Sequence, residues 1–292
     1  MISIAPVSYR SVFAGDRGPI ESVVCNTTDS LGQPLFQANA YLREELVPAK
    51  QRNGIFGNAD GTGTHASQQV ARHMAISEAL ERWAYWTVST GPEAERFGFT
   101  VDRTTTGMAA FPGLFRRSAR RLALFEAVER WALASWWLGQ LEGTIVSSFH
   151  PGVTAVRIET GCPVTVALAF RRSPAGQVSY GYAAAANFRS ALQRAMIEMS
   201  RNEFVFSYAK LRGGAASPAT EFEQRCLYFA SPEGHERFLQ RLFSRRRGAQ
   251  ASWSVLFDGE IPGPWSQYAT VWRVVPAMPA DYASEGNRFF AW

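Results

Sequence analysis

Lysine is nearly absent from this 292-residue chain: Lys50 and Lys210 are the only two, so almost all of the basic charge behind the net +5 is arginine. No Gly-Lys-Ser/Thr triplet occurs, which excludes a Walker A phosphate loop. Cysteine is scarce as well. Cys25, Cys162 and Cys226 are far apart, form no CxxC and stand at no metal-ligand spacing from His65, His73, His150 or His235. That excludes a zinc site and points to reduced, structural thiols. No run of about 18 uncharged apolar residues exists, and residues 1–10 lack the basic-then-apolar order of a signal peptide, so the expectation is a cytoplasmic protein without a membrane span. Apolar residues, by contrast, make up 46% of the chain and include 20 Phe and 9 Trp. This is ample for a core and too much for a disordered chain.

Strand-like runs at residues 20–25 and 34–42 flank a turn at 29–33, and a glycine-rich loop at 54–63 leads into a first long helix at 66–89. A second helix is expected at 117–140 after the Pro112-Gly113 break. Strands follow at 153–158, 163–170 and 177–184, and then a third helix at 188–210. A small-residue linker at 213–218 precedes a polar helix at 233–245, a strand at 253–256, a turn at 261–264 and a last strand at 268–275. Strands and helices alternate in groups, which predicts one interleaved α+β domain over residues 1–292.

The heptapeptide Glu-Ala-Leu-Glu-Arg-Trp-Ala at 78–84 recurs as Glu-Ala-Val-Glu-Arg-Trp-Ala at 126–132. Residues three apart share a helix face, so Glu78 with Glu81, and Glu126 with Glu129, each present two carboxylates side by side. Four such groups brought together repel and raise one another's pKa unless a cation neutralises them. A hard divalent ion that prefers oxygen ligands and bridges carboxylates to phosphates is the simplest neutraliser. A competing account is an exposed helix face with i,i+4 ion pairs, Glu78 to Arg82 and Glu126 to Arg130, worth only about 0.2–0.5 kcal/mol each. The strongly apolar flanks of both strings argue for burial, and buried charges need partners. The expectation is therefore a magnesium-nucleotide site.

Two weaker signals accompany it. Gly61-Thr62-Gly63, read as a helix-entry loop, could cradle phosphate through backbone N–H groups and the helix dipole. The clusters Arg116-Arg117 with Arg120-Arg121, and Arg245-Arg246-Arg247, would suit nucleic acid or an acidic peptide, although no nucleic-acid motif accompanies them.

In order and spacing these motifs resemble the YcaO family. The Gly61-x-Gly63 loop, the Glu78-x-x-Glu81-Arg82 helix, the second helix with Leu124-x-Glu126-x-x-Glu129-Arg130, and the third with Ala191-Leu192-x-x-Ala195-x-x-Glu198 carry the resemblance. Tyr9-Arg10-Ser11-Val12 and the hairpin of residues 18–35 extend it over about residues 9–206. The resemblance implies a YcaO-like fold of mixed β-sheets flanked by long helices around an ATP cleft, with ATP and Mg2+ as cofactors. It makes Glu78, Glu81, Glu126, Glu129 and Glu198 metal ligands and places Arg130, Gly61, Gly63 and Arg10 at the nucleotide, with no catalytic residue assigned. The implied activity is ATP-dependent activation of a backbone amide of a ribosomally synthesised precursor peptide, as in natural-product maturation, giving an azoline, amidine, thioamide or hydrolysed product. The implied partners are that peptide, a leader-binding or activating protein and a second copy in a homodimer. The chain departs from the family pattern at Thr62, where lysine is usual, at Met74, where serine is usual, and at Ser118, where an acidic or amide residue often stands. These departures motivate an alternative: a non-catalytic YcaO-like scaffold that binds a precursor peptide or a partner enzyme. Nucleic-acid binding ranks third.

Overall fold

A computed structural model describes residues 9–13, 17–47, 54–211, 218–244, 250–282 and 288–289. Lys50, most of the expected linker and the Arg245-Arg246-Arg247 cluster lie outside the described residues. The chain forms two compact units. The first collects the described parts of residues 1–51, 58–127 and 255–275, and the second those of 52–57, 128–254 and 276–292. None of the described helices is long and apolar enough to cross a membrane.

The first unit begins with an antiparallel meander of β1 (Ile20–Ser30), β2 (Gln33–Leu42) and β3 (Gly61–His65). Its first turn is a two-residue loop in which Leu31 and Gly32 both have positive φ, 55° and 82°, the mirror-image turn that matches strand twist. The Asp29 carboxylate accepts the Gly32 N–H at 2.9 Å and fixes this turn. Helix α1 (Gln68–Ser89), capped by the Ser67 side chain, packs on β2 and β3. A second sheet, in the order β4-β10-β9, joins β4 (Met108–Pro112), β9 (Val255–Glu260) and β10 (Ala269–Pro276). The core between these layers is built from Ala75, Ile76, Leu80, Phe97, Phe99, Trp265 and Val271. Removing large apolar side chains such as these from water contributes about 1.5–3 kcal/mol each.

In the second unit, β5 (Gly143–Val146), β6 (Thr154–Ile158), β7 (Thr165–Arg172) and β8 (Val178–Ala185) form an antiparallel meander. All eight residues of β8 are buried, and α3 (Phe188–Leu211) packs on β7 and β8. Helices α4 (Glu221–Ala230) and α5 (Pro232–Leu242) complete an aromatic core of Trp136, Trp137, Tyr180, Phe229, Phe238 and Phe289. Helix α2 (Arg116–Trp137) contributes residues to both units, with Glu126 in the first and Glu129 in the second.

The expected α+β class holds. The expected glycine loop at 61–63 does not: these residues are β3. Both glycines are required by packing, because a Cβ on Gly61 would sit under 3.0 Å from the Ala75 and Ala79 backbone, and one on Gly63 equally close to Ala71 and Ala75. The heptapeptide recurrence is not the structural repeat either. The repeat is a meander followed by a helix, and it relates the two units at an offset of 120 residues. Gly61, Thr62, Ser67, Ala75 and Glu78 correspond to Gly181, Tyr182, Asn187, Ala195 and Glu198. Gly181 meets Ala195 and Met199 as Gly61 meets Ala75 and Ala79, and Asn187 caps α3 as Ser67 caps α1.

Candidate magnesium-nucleotide site

In the first unit α1 carries Glu78 and Glu81, and α2 carries Glu126, near enough for its charge to act on Glu81. Glu78 Oε2 accepts the Thr62 N–H at 2.9 Å and the Thr62 hydroxyl at 3.3 Å, and its Oε1 lies 3.7 Å from the Arg82 guanidinium. Glu81, one turn further on, is only 9% exposed. Burial pushes its carboxyl well above the usual carboxylate range, and the negative charges of Glu126 and Glu78 push it further, against the pull of Arg82 and Arg273. Arg273, buried on β10, is held by the Asp102 and Thr104 carbonyls at 2.6 and 2.9 Å and lies over the Phe99 ring at 3.7 Å. Burial lowers its pKa to about 10. The Tyr9 and Ser77 hydroxyls, 2.5 Å apart, tie the turn at residues 9–13 to α1 beside Glu78, and Arg10 is exposed on that turn.

The second unit holds the remaining predicted residues. Glu129 is buried on α2; one oxygen accepts the Ala184 N–H at 2.9 Å and the other lies 3.8 Å from Arg130 Nε. Arg130 donates to the Tyr182 hydroxyl at 3.0 Å and stands 5.3 Å from the centre of the same ring. Glu198 on α3 accepts the Tyr182 N–H at 3.1 Å. Burial raises its pKa, partly offset by Arg130, by that N–H bond and by Arg201 and Arg194.

Three of the predicted ligands, Glu78, Glu129 and Glu198, thus share one device. A backbone N–H of the neighbouring strand holds one carboxylate oxygen, which fixes the side chain and offsets part of its desolvation. Tyr182 and Ala184, overlooked in the sequence, and Thr62, noted there in the glycine motif and as a departure from the family pattern, supply the device. The matched spacing Gly61 to Glu78 and Gly181 to Glu198 was the available signal; Arg273 had none. The exposed-face account fits only part of the site: Glu78 pairs with Arg82 at the surface, whereas Glu129 and Arg130 of the second heptapeptide are largely enclosed, with Arg130 on Tyr182. Half of one basic cluster is neutralised internally, Arg116 by Glu260 at 2.7 Å and Arg120 by Asp258 in a forked pair. Met74 is 44% exposed on α1, one turn before Glu78.

The chemistry of these donors, carboxylate oxygens of which those of Glu78, Glu129 and Glu198 are held by backbone N–H groups, suits a hard divalent cation, and such a cation would relieve the like-charge penalty on Glu81. Among the described residues no group of three His, Cys, Asp or Glu side chains already converges on one point. Two grooves of about 330 and 450 Å³ lie elsewhere, along α5 around Trp136, Trp137 and Arg241.

The family model described as YcaO cyclodehydratase, ATP- and Mg2+-binding, matches residues 83–261. That stretch begins just after Glu81 and contains Glu126, Glu129, Arg130 and Glu198. No curated protein sequence matches. Among solved structures, the fold is similar to YcaO from Methanopyrus kandleri bound with AMPPCP and Mg2+, with a TM-score of 0.55 at 14% identity over 98% of this chain and 91% of that one. A chain of the E. coli microcin synthetase McbBCD complex with pro-MccB17 bound gives a TM-score of 0.58 at 13% identity, covering 92% and 89%. A heterocyclase in complex with substrate and cofactor gives 0.53 at 12% identity, covering 93% of this chain and 51% of that chain. With its fold shared across such structures and more than half of its length matched by the family model, the chain belongs to the YcaO family of ATP- and Mg2+-binding cyclodehydratases.

Proposed function

We propose that this chain is an atypical YcaO-type enzyme that uses Mg-ATP to activate a backbone amide of a ribosomally synthesised precursor peptide, giving an azoline, amidine, thioamide or hydrolysed product. The observation that carries this reading is the set of carboxylates locked by strand N–H groups, with Glu81 buried against Glu126. Such an arrangement is costly for a chain without a cation to bind and is ready-made for one that has it. Glu78, Glu81, Glu126, Glu129 and Glu198 would hold magnesium, with phosphate oxygens and water completing the coordination. Arg130 would direct a charge-assisted donor at phosphate, and Arg10 and the β3 glycines belong to the nucleotide side. Bound Mg-ATP would supply a phosphoryl group that turns the amide oxygen into a leaving group, with its charge neutralised by the metal. A leader-binding or activating partner protein and a homodimer belong to the same reading.

A second reading, a non-catalytic scaffold for a precursor peptide or partner enzyme, draws on Met74 and on Thr62, whose hydroxyl engages Glu78 where the family usually has lysine. Calorimetric titration of Mg-ATP separates the two. The enzyme reading expects micromolar binding that both Glu78→Gln and Glu126→Gln abolish, together with loss of peptide product. Absence of binding in the wild type, with peptide and partner added, would leave the scaffold.

A further inference from the structure

The side chain and the backbone of Tyr182 each hold a different one of the second unit's predicted site residues. We propose that Tyr182 is a positioning residue: it presents Arg130 to phosphate through its hydroxyl and ring, and it aims the Glu198 carboxylate through its backbone N–H. The inference rests on the nucleotide reading above and adds to it a residue outside the recurring motifs.

The geometry is specific. Tyr182 is 4% exposed on β8, a strand buried along its whole length, and lies opposite Leu168 in the sheet register, so its ring cannot move without disturbing the core. Its hydroxyl accepts from Arg130 at 3.0 Å, and the guanidinium carbon is 5.3 Å from the ring centre. An arginine has several rotatable bonds, and ordering such a side chain at the moment of binding costs conformational entropy. A rigid aromatic that both accepts a hydrogen bond and attracts the cation meets that cost during folding instead. Burial keeps the phenol protonated, so the acceptor is a neutral oxygen that does not cancel the arginine's charge.

The equivalent position in the first unit supports this assignment. Thr62 likewise donates its N–H to a predicted ligand, Glu78, and likewise turns a hydroxyl towards the site. A hydroxyl-bearing residue therefore follows the packing glycine in both halves. In the second it carries an aromatic ring long enough to reach an arginine on α2.

Tyr182→Phe deletes the hydrogen bond while keeping the ring, so Mg-ATP titration into wild type, Tyr182→Phe, Arg130→Lys and the double variant, with melting curves of each without ligand, tests the inference. The expected result for Tyr182→Phe is roughly tenfold weaker nucleotide binding, which is about 1.4 kcal/mol, with a melting point within a few degrees of wild type. The double variant should bind no more weakly than Arg130→Lys alone, because the hydroxyl acts through Arg130. Wild-type affinity in Tyr182→Phe, or losses that add in the double variant, would overturn the proposal while leaving the nucleotide reading intact. A wild-type protein that binds no Mg-ATP would instead remove the reading and the inference together.

Discussion

Glu223 shows how far one carboxylate can organise this chain. It is fully buried and accepts four backbone N–H groups, from Gly54 at 3.0 Å, Ile55 at 2.7 Å, Phe56 at 2.9 Å and Ala219 at 2.7 Å. Burial alone would raise its pKa, but the four donors outweigh burial and hold it below the ordinary value of 4.5. A carboxylate with a depressed folded pKa contributes stability that is present above the unfolded pKa and is lost as pH falls through the folded one. Urea unfolding across an acid pH series should therefore show Glu223→Gln less stable than wild type by about 2–3 kcal/mol near neutrality, with the gap closing towards acid. An unchanged gap at all pH values would contradict this account. Glu81 has the opposite sign. Its raised folded pKa means that folding favours the protonated carboxyl, so its contribution holds below the unfolded pKa and fades as pH rises through the folded one.

At the scale of elements, β8 and α3 pack backbone to backbone. A Cβ on Gly181 would lie under 3.0 Å from the Ala195 carbonyl and the Met199 backbone, atoms that cannot yield without moving the helix. Gly181→Ala should destabilise the protein by about 3 kcal/mol or more, read as lost soluble yield or a lower melting point, and should also displace Glu198 with α3. The long helices were legible in the sequence because their apolar periodicity and caps agree: α1 and α3 begin and end within about two residues of the expected positions. Strand β3 was not legible. Gly-Thr-Gly has poor strand propensity, and only the approach of α1 explains its glycines. The five-residue β4 and four-residue β5 are too short for a periodic signal, and α4 was hidden behind the small-residue linker. The site divides in the same way. Its glutamates and Arg130 stood out by motif, whereas the N–H donors that orient them depend on strand register, and Arg273 comes from a strand 147 residues beyond Glu126 in the sequence.

Across the whole molecule, the arginine-rich charge is partly spent inside the fold. Arg116 and Arg120 pair with β9, Arg241 donates to carbonyls of Trp136 and Leu141, and Arg273 is buried. The abundance of arginine thus overstates the basic surface open to an anionic partner, which weakens the nucleic-acid reading. Long-range ties coexist with short ones. The bonds from Thr62 to Glu78 and from Tyr182 to Glu198 each span 16 residues, whereas the bond from Ile55 to Glu223 spans 168. Loop-closure entropy grows with the logarithm of chain length, so the long tie costs about 2 kcal/mol more to close. Pulsed hydrogen exchange during refolding should accordingly protect the amides of Thr62 and Tyr182 before those of Ile55 and Phe56; simultaneous protection would contradict this order. Glu78 and Glu198 are thus set by contacts that mature early, and the first of them has its strand and helix partners once α1 has left the ribosome, long before the segments that complete either unit have been synthesised.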